Sequence, residues 1–98
     1  MSFRALSTIL AATLTVAAAA PPNAAMGRAA IDRALANPAR AKDRQQDARR
    51  HPAELVALAH PARGQRVLDL IPGGGYWTRI FSGIVGPTGH VYAVWPTA

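Results

Sequence analysis

Val67-Leu68-Asp69-Leu70-Ile71-Pro72-Gly73-Gly74-Gly75-Tyr76-Trp77-Thr78 is the stretch whose reading decides the fold. A short apolar run reaches an acid, passes into three consecutive glycines and emerges with helical spacing. Arg66 to Leu70 reads as a strand, and Tyr76, Trp77, Ile80, Phe81, Ile84 and Val85 recur as one face of a helix, with Arg79 and Ser82 on the other. Bare backbone at 73, 74 and 75 can turn sharply and let a ligand approach closely. That turn lies at the carboxyl end of a strand, where open α/β sheets bind their ligands.

Working outward, Gly86-Pro87-Thr88-Gly89 is a dense turn signal. His90 to Trp95 then reads as a second strand, apolar at successive positions as in a strand buried on both faces of a parallel sheet. Strand, glycine turn, helix, strand is a βαβ unit, whose crossover is normally right-handed. Upstream, Ala29 to Ala36 predicts a short helix stopped by Asn37-Pro38, because the residue before proline avoids helical geometry. Ala39 to Arg50 is helix-compatible but charged all round, so such a helix needs outside support. Pro52 suits the first turn of a further helix with Leu55, Val56, Leu58 and Ala59 as its apolar side, ended by His60-Pro61. The fold class is α/β: amino-terminal helices followed by one βαβ unit, an incomplete sheet.

The 98 residues carry ten arginines and one lysine against five acids, a net charge of +6. Most of the positive charge lies between Arg28 and Arg50, interleaved with Asp32, Asp43 and Asp47. Arg40, Lys42, Arg44, Arg49 and Arg50 therefore read as a solvated helix face, and Asp43 and Asp47, one helical turn apart, as intrahelical ion pairs with neighbouring arginines. No aromatic residue is interleaved to stack on bases, which argues against nucleic acid. There is no cysteine, hence neither a disulfide nor a thiolate metal site, and 22 alanines make the 50% apolar fraction a poor measure of burial. His51, His60 and His90 have no metal-type spacing, and surface or capping roles suit them.

The amino terminus reads as a secretory signal over residues 1–19. Arg4 is its basic start, Ala5 to Ala19 its uncharged apolar run, and Ala17-Ala18-Ala19 its small-residue cleavage site. The run is too short and alanine-rich for a good membrane span, which needs about 20 strongly apolar residues, so no stable span is expected after cleavage. Residues 20–28 read as a linker and 29–98 as a partial domain. The expected location is periplasmic or secreted, or cytoplasmic if translation starts at Met26. Fewer than eighty residues remain after cleavage, a size at which a core is marginal.

The glycine turn suits a small anionic group, held by backbone N–H groups and the positive end of a helix. A dinucleotide fingerprint fits poorly: Gly73 and Gly75 match, but Thr78 holds the third glycine position and no acid closes the second strand at Val94-Trp95-Pro96. A Walker-type loop is excluded, since no Gly-Lys-Ser/Thr is present. The run Asp69-Leu70-Ile71-Pro72-Gly73-Gly74-Gly75-Tyr76 resembles the first motif of class I S-adenosylmethionine-dependent methyltransferases. It is most similar to a group of bacterial, often exported, proteins of that class reading Asp-x-x-Pro-Gly-Gly-Gly-Tyr. The resemblance extends upstream through Arg40, Asp43, Asp47 and Arg49-Arg50-His51-Pro52, and downstream through Gly86-Pro87-Thr88-Gly89-His90-Val91-Tyr92-Ala93.

The resemblance implies a Rossmann-like sheet and S-adenosylmethionine as cofactor. Asp69, Gly73 and Gly75 would line its methionine end, with Gly74 and Tyr76 flanking it. Two residues depart from the general pattern. Ile71 stands at the first glycine position, where it would crowd the loop, and Trp95 stands near the usual ribose-binding acid, where it would instead stack on adenine. A complete domain of that class has several more strands than the two legible here. The chain then reads as an amino-terminal fragment, by itself inactive, whose acceptor pocket lies elsewhere. Export would also separate it from a cofactor made in the cytosol. The rival expectation is a non-catalytic exported binding or docking module, favoured by the unpaired apolar strand Val91 to Trp95.

Overall fold

A computed structural model describes residues 22–97. The expected signal segment, residues 1–19, lies outside the described residues. Helix α1 (Pro22–Leu35) is followed by 3-10 turns at Pro38–Arg40 and Arg44–Gln46, then α2 (Asp47–Arg50), α3 (Pro52–Leu58), β1 (Arg66–Leu70), α4 (Tyr76–Val85) and β2 (His90–Val94). The two strands pair in parallel, Arg66 opposite His90 through Leu70 opposite Val94, with α4 as the crossover. This is an α/β arrangement of helices and a two-stranded parallel sheet.

α1 begins at Pro22 rather than at Ala29, so the helix runs through most of the segment read as a linker. Proline is tolerated there because a first-turn N–H has no intrahelical partner. The helix stops where expected, and Asn37 Oδ1 accepts the Ala39 N–H at 2.9 Å to start the next turn. α3 opens on Pro52 as its spacing predicts, but its buried side is Pro52 and Val56. Leu55 and Leu58 face solvent: at about 100° per residue they lie roughly 80° and 140° from the line midway between Pro52 and Val56.

The core is built from helices. Ile31 and Ala34 of α1, Val56 of α3, and Tyr76, Ile80 and Ile84 of α4 form one buried cluster, with Trp77 and Phe81 packed against it. The helical spacing read from Tyr76 onward is thus the core face of α4. α1 and α4 approach so closely that a Cβ on Gly83 would lie 3.1 Å from the Ala34 Cβ. At the far end of α4, Gly89 tucks under the helix: a Cβ there would sit 2.5 Å from Val85 Cβ and 2.6 Å from the Gln65 carbonyl oxygen.

α4 covers one face of the sheet. In both strands burial alternates, with Val67, Asp69, Val91 and Ala93 half-buried. The expectation of a second strand buried on both faces does not hold among the described residues. Leu68, Leu70, Tyr92 and Val94 share an open face, and Trp95 beyond them is exposed.

Candidate functional site

The segment from Ala39 to Arg50 reaches the glycine turn from the opposite side, and its charges are not spread around a solvated helix. Arg40, Asp43, Asp47 and Arg50 recur at spacings of three, four and three, one face of a helical path, and that face points inward. Arg40 is fully buried. Its guanidinium donates to the Leu35 carbonyl at 2.7 Å and to Asp47 Oδ1 at 2.7 Å, while its Nε has no partner. The Tyr76 hydroxyl donates to the same Asp47 oxygen. Asp43 takes two bonds from Arg79, at 2.6 and 2.7 Å, across 36 residues. The aspartates are therefore long-range anchors to α4, not members of intrahelical pairs. The i, i+4 pair that does form, Arg28 with Asp32, is exposed.

These contacts shift the titrating groups. Hydrogen bonds from Arg79, with the charges of Arg79, Arg40 and Arg50, hold the Asp43 carboxyl below its ordinary range despite burial. Burial pushes Asp47 upward, but the bonds from Arg40 and Tyr76 outweigh it and its carboxyl also lies low. Burial, then the bond to Asp47 and that residue's charge, push the Tyr76 phenol up to about 12. Tyr76 is thus a neutral core residue with an engaged hydroxyl. Its ring meets Trp77 edge-on at 4.9 Å, and the Arg50 guanidinium carbon lies 4.5 Å from its centroid.

The turn itself begins with strain. Ile71, where a glycine was expected by resemblance, holds φ +58°. That left-handed conformation is one a β-branched residue rarely adopts. The side chain is 63% exposed, so it does not crowd the loop interior. Its N–H still donates to the Val94 carbonyl, extending the sheet ladder by one bond. Gly73 (φ +56°) and Gly75 (φ +85°) also lie in the left-handed region, and Gly75 caps α4. Space separates the three glycines. A Cβ on Gly73 or Gly74 would meet nothing within 4 Å, whereas one on Gly75 would lie 2.9 Å from Arg79 Nη1. Gly75 therefore makes room for the Arg79 side chain to fold back toward Asp43. The N–H groups of Gly73 and Gly74 have no partner among the described residues.

A cleft of about 370 Å³ lies between the turn and the charged segment. Ile71, Pro72, Gly73 and Gly74 of the turn line it together with Asp43, Gln46 and Arg50 of the charged segment and Tyr76, Trp77 and Arg79 of α4. Of the residues expected at a cofactor site, Gly73, Gly74 and Tyr76 line it. Asp69 and Gly75 do not: Asp69 accepts a bond from the Thr78 hydroxyl and so ties β1 to α4 beneath the turn. Trp95 is also absent from the lining. Asp43, Gln46, Arg50 and Arg79 were not expected there. The three-four-three spacing of charges from Arg40 was the available signal for the wall.

No family model matches the chain, and no solved structure matches it. Among curated proteins, it is 40% identical over 42 residues to a protein-L-isoaspartate O-methyltransferase of Ignicoccus hospitalis. The match covers 43% of this chain and 20% of that relative, so the chain spans about a fifth of the length of the protein it matches. The likeness is local and points to a methyltransferase.

Proposed function

We propose that this chain is the cofactor-cradling, amino-terminal part of an S-adenosylmethionine-dependent methyltransferase with a Rossmann-like sheet. The observation that carries the reading is the turn at Gly73 and Gly74: backbone N–H groups without partners, at the carboxyl end of a parallel strand, with open space where side chains would stand. The local likeness to a methyltransferase supports the same class. A cleft of about 370 Å³ falls at the small end of the range for ligand sites, about 300–1,000 Å³. When bound, the cofactor supplies an electrophilic methyl group on a sulfonium. Gly73 and Gly74 would receive its methionine end, and Tyr76 and Trp77 would wall that end from water. The acceptor and any catalytic base belong to elements not described here, and export of the protein rests on the reading of residues 1–19.

Binding of S-adenosylmethionine to the full chain, followed by calorimetry, tests the proposal. Gly74→Val fills the cradle from a position where nothing lies within 4 Å of the added Cβ. The variant should keep its circular dichroism melt and lose binding. A wild-type chain that is folded and does not bind the cofactor refutes the reading. A second reading, a non-catalytic docking module, is favoured by the open apolar face of Leu68, Leu70, Tyr92 and Val94. Its mark would be a folded chain indifferent to the cofactor.

A further inference from the structure

Arg50 is the charged group of the cleft whose N–H donors find no acceptor among the described residues. It sits half-buried at the end of α2, against the face of Tyr76. Among the described residues it makes neither a hydrogen bond nor an ion pair. The other guanidiniums nearby are committed: Arg40 to Asp47 and the Leu35 carbonyl, Arg79 to both oxygens of Asp43. The lining thus holds two guanidiniums, Arg50 and Arg79, and one carboxylate, Asp43, which leaves one positive charge in excess. A partly desolvated guanidinium with no hydrogen-bonded counter-ion is unfavourable, and the Tyr76 ring and the charge of Asp43, beyond ion-pair distance, offset only a part of that. The ring also holds the guanidinium to one side of the cleft.

The same lining holds Gly73 and Gly74, whose N–H groups have no partner among the described residues. A planar guanidinium and two amides in one lining match a planar anion with two oxygens. We propose that Arg50 binds a ligand carboxylate in this cleft; resting on the reading above, it is the carboxylate of the amino-acid end of S-adenosylmethionine. Asp43 forms no ion pair with Arg50, and both of its oxygens are bonded to Arg79. Arg50 is then a determinant of affinity for the carboxylate, with no part in the transfer step.

The test compares two probes on the full chain by calorimetry: S-adenosylmethionine, and 5′-methylthioadenosine, which lacks the amino-acid end. Arg50→Gln should weaken S-adenosylmethionine roughly 10- to 100-fold, the scale of a charge-assisted bidentate contact. It should leave 5′-methylthioadenosine within about twofold. Arg50→Lys, which keeps the charge and loses the fork, should fall between, and it serves if the glutamine variant does not fold. Equal weakening of both probes would make Arg50 a structural residue and overturn the assignment. So would unchanged affinity for S-adenosylmethionine, in which case the cofactor reading stands without it. Failure of the wild-type chain to bind either probe removes both.

Discussion

Replacing Arg40 by methionine keeps most of the buried volume and removes the charge. Arg40 is fully buried, its partner Asp47 retains 28% of its side-chain exposure, and the Tyr76 hydroxyl shares the Asp47 carboxylate. The substitution strands two groups at once: the Leu35 carbonyl loses its 2.7 Å donor, and Asp47 keeps only the phenol. Breaking one side of a buried ion pair costs about 3–5 kcal/mol, and the partial exposure of Asp47 puts this case near 3 kcal/mol. A domain of this size has roughly 5 kcal/mol in all. Arg40→Met should therefore lose more than half of its stability in urea unfolding followed by far-ultraviolet circular dichroism. Adding Asp47→Asn removes the uncompensated charge while leaving an acceptor for Tyr76. The double variant should recover about 1–2 kcal/mol. A single variant within about 1 kcal/mol of wild type, or a double variant no better than the single one, would refute the hub described for Arg40.

Stability should fall at both ends of the pH scale. Asp43 and Asp47 have folded values below the ordinary 3.8, so their contribution is present above that pH and disappears as acid protonates them; Asp43→Asn should flatten the acid limb of a melting-temperature profile. Tyr76 is raised from 10.0 to about 12, so its contribution is present below pH 10 and is lost as pH rises through the folded value; Tyr76→Phe should remove that alkaline loss. Ile71→Gly should gain up to about 1 kcal/mol, because relief of a left-handed β-branched residue, roughly 1–2 kcal/mol, exceeds the added freedom of the unfolded chain. Loss of more than about 1 kcal/mol in urea would show that Ile71 is not strained. Gly89→Ala should destabilise by about 1–3 kcal/mol through overlap with Val85 and the Gln65 carbonyl, whereas Gly74→Ala should melt like wild type.

The βαβ unit was legible because its signals are local. Periodicity from Tyr76, the turn at Gly86 to Gly89 and two apolar runs each specify an element without help from distant residues. In the segment between Ala39 and Arg50, Lys42, Arg44 and Arg49 are exposed as expected, but Arg40, Asp43, Asp47 and Arg50 were misread because charge normally marks solvent. Here the charged face packs inward against partners 29 and 36 residues away, information that no local window holds. The leucines of α3 misled for the opposite reason: hydrophobicity predicted burial, but the direction of the stripe sends only Pro52 and Val56 inward. Of the residues expected at a cofactor site, Gly73, Gly74 and Tyr76 line the cleft, and its lining by Asp43, Gln46, Arg50 and Arg79 was not foreseen. Asp69 looked available at the end of a strand, and only the fold shows that Thr78 binds it.

The cleft also has a place in the order of events as the chain leaves the ribosome. Its first wall, with Asp43, Gln46 and Arg50, and the Arg40–Asp47 pair behind it are synthesised well before Tyr76 and Arg79, the residues that fix them. Until then these side chains are solvated polar and charged groups that can wait in water without exposing an apolar surface. Joining segments 36 residues apart carries a loop-closure penalty that local turns do not. Local helix formation in α4 should therefore precede closure of the cleft. A nascent chain halted before the glycine turn would hold every charge of one wall and nothing to set it against.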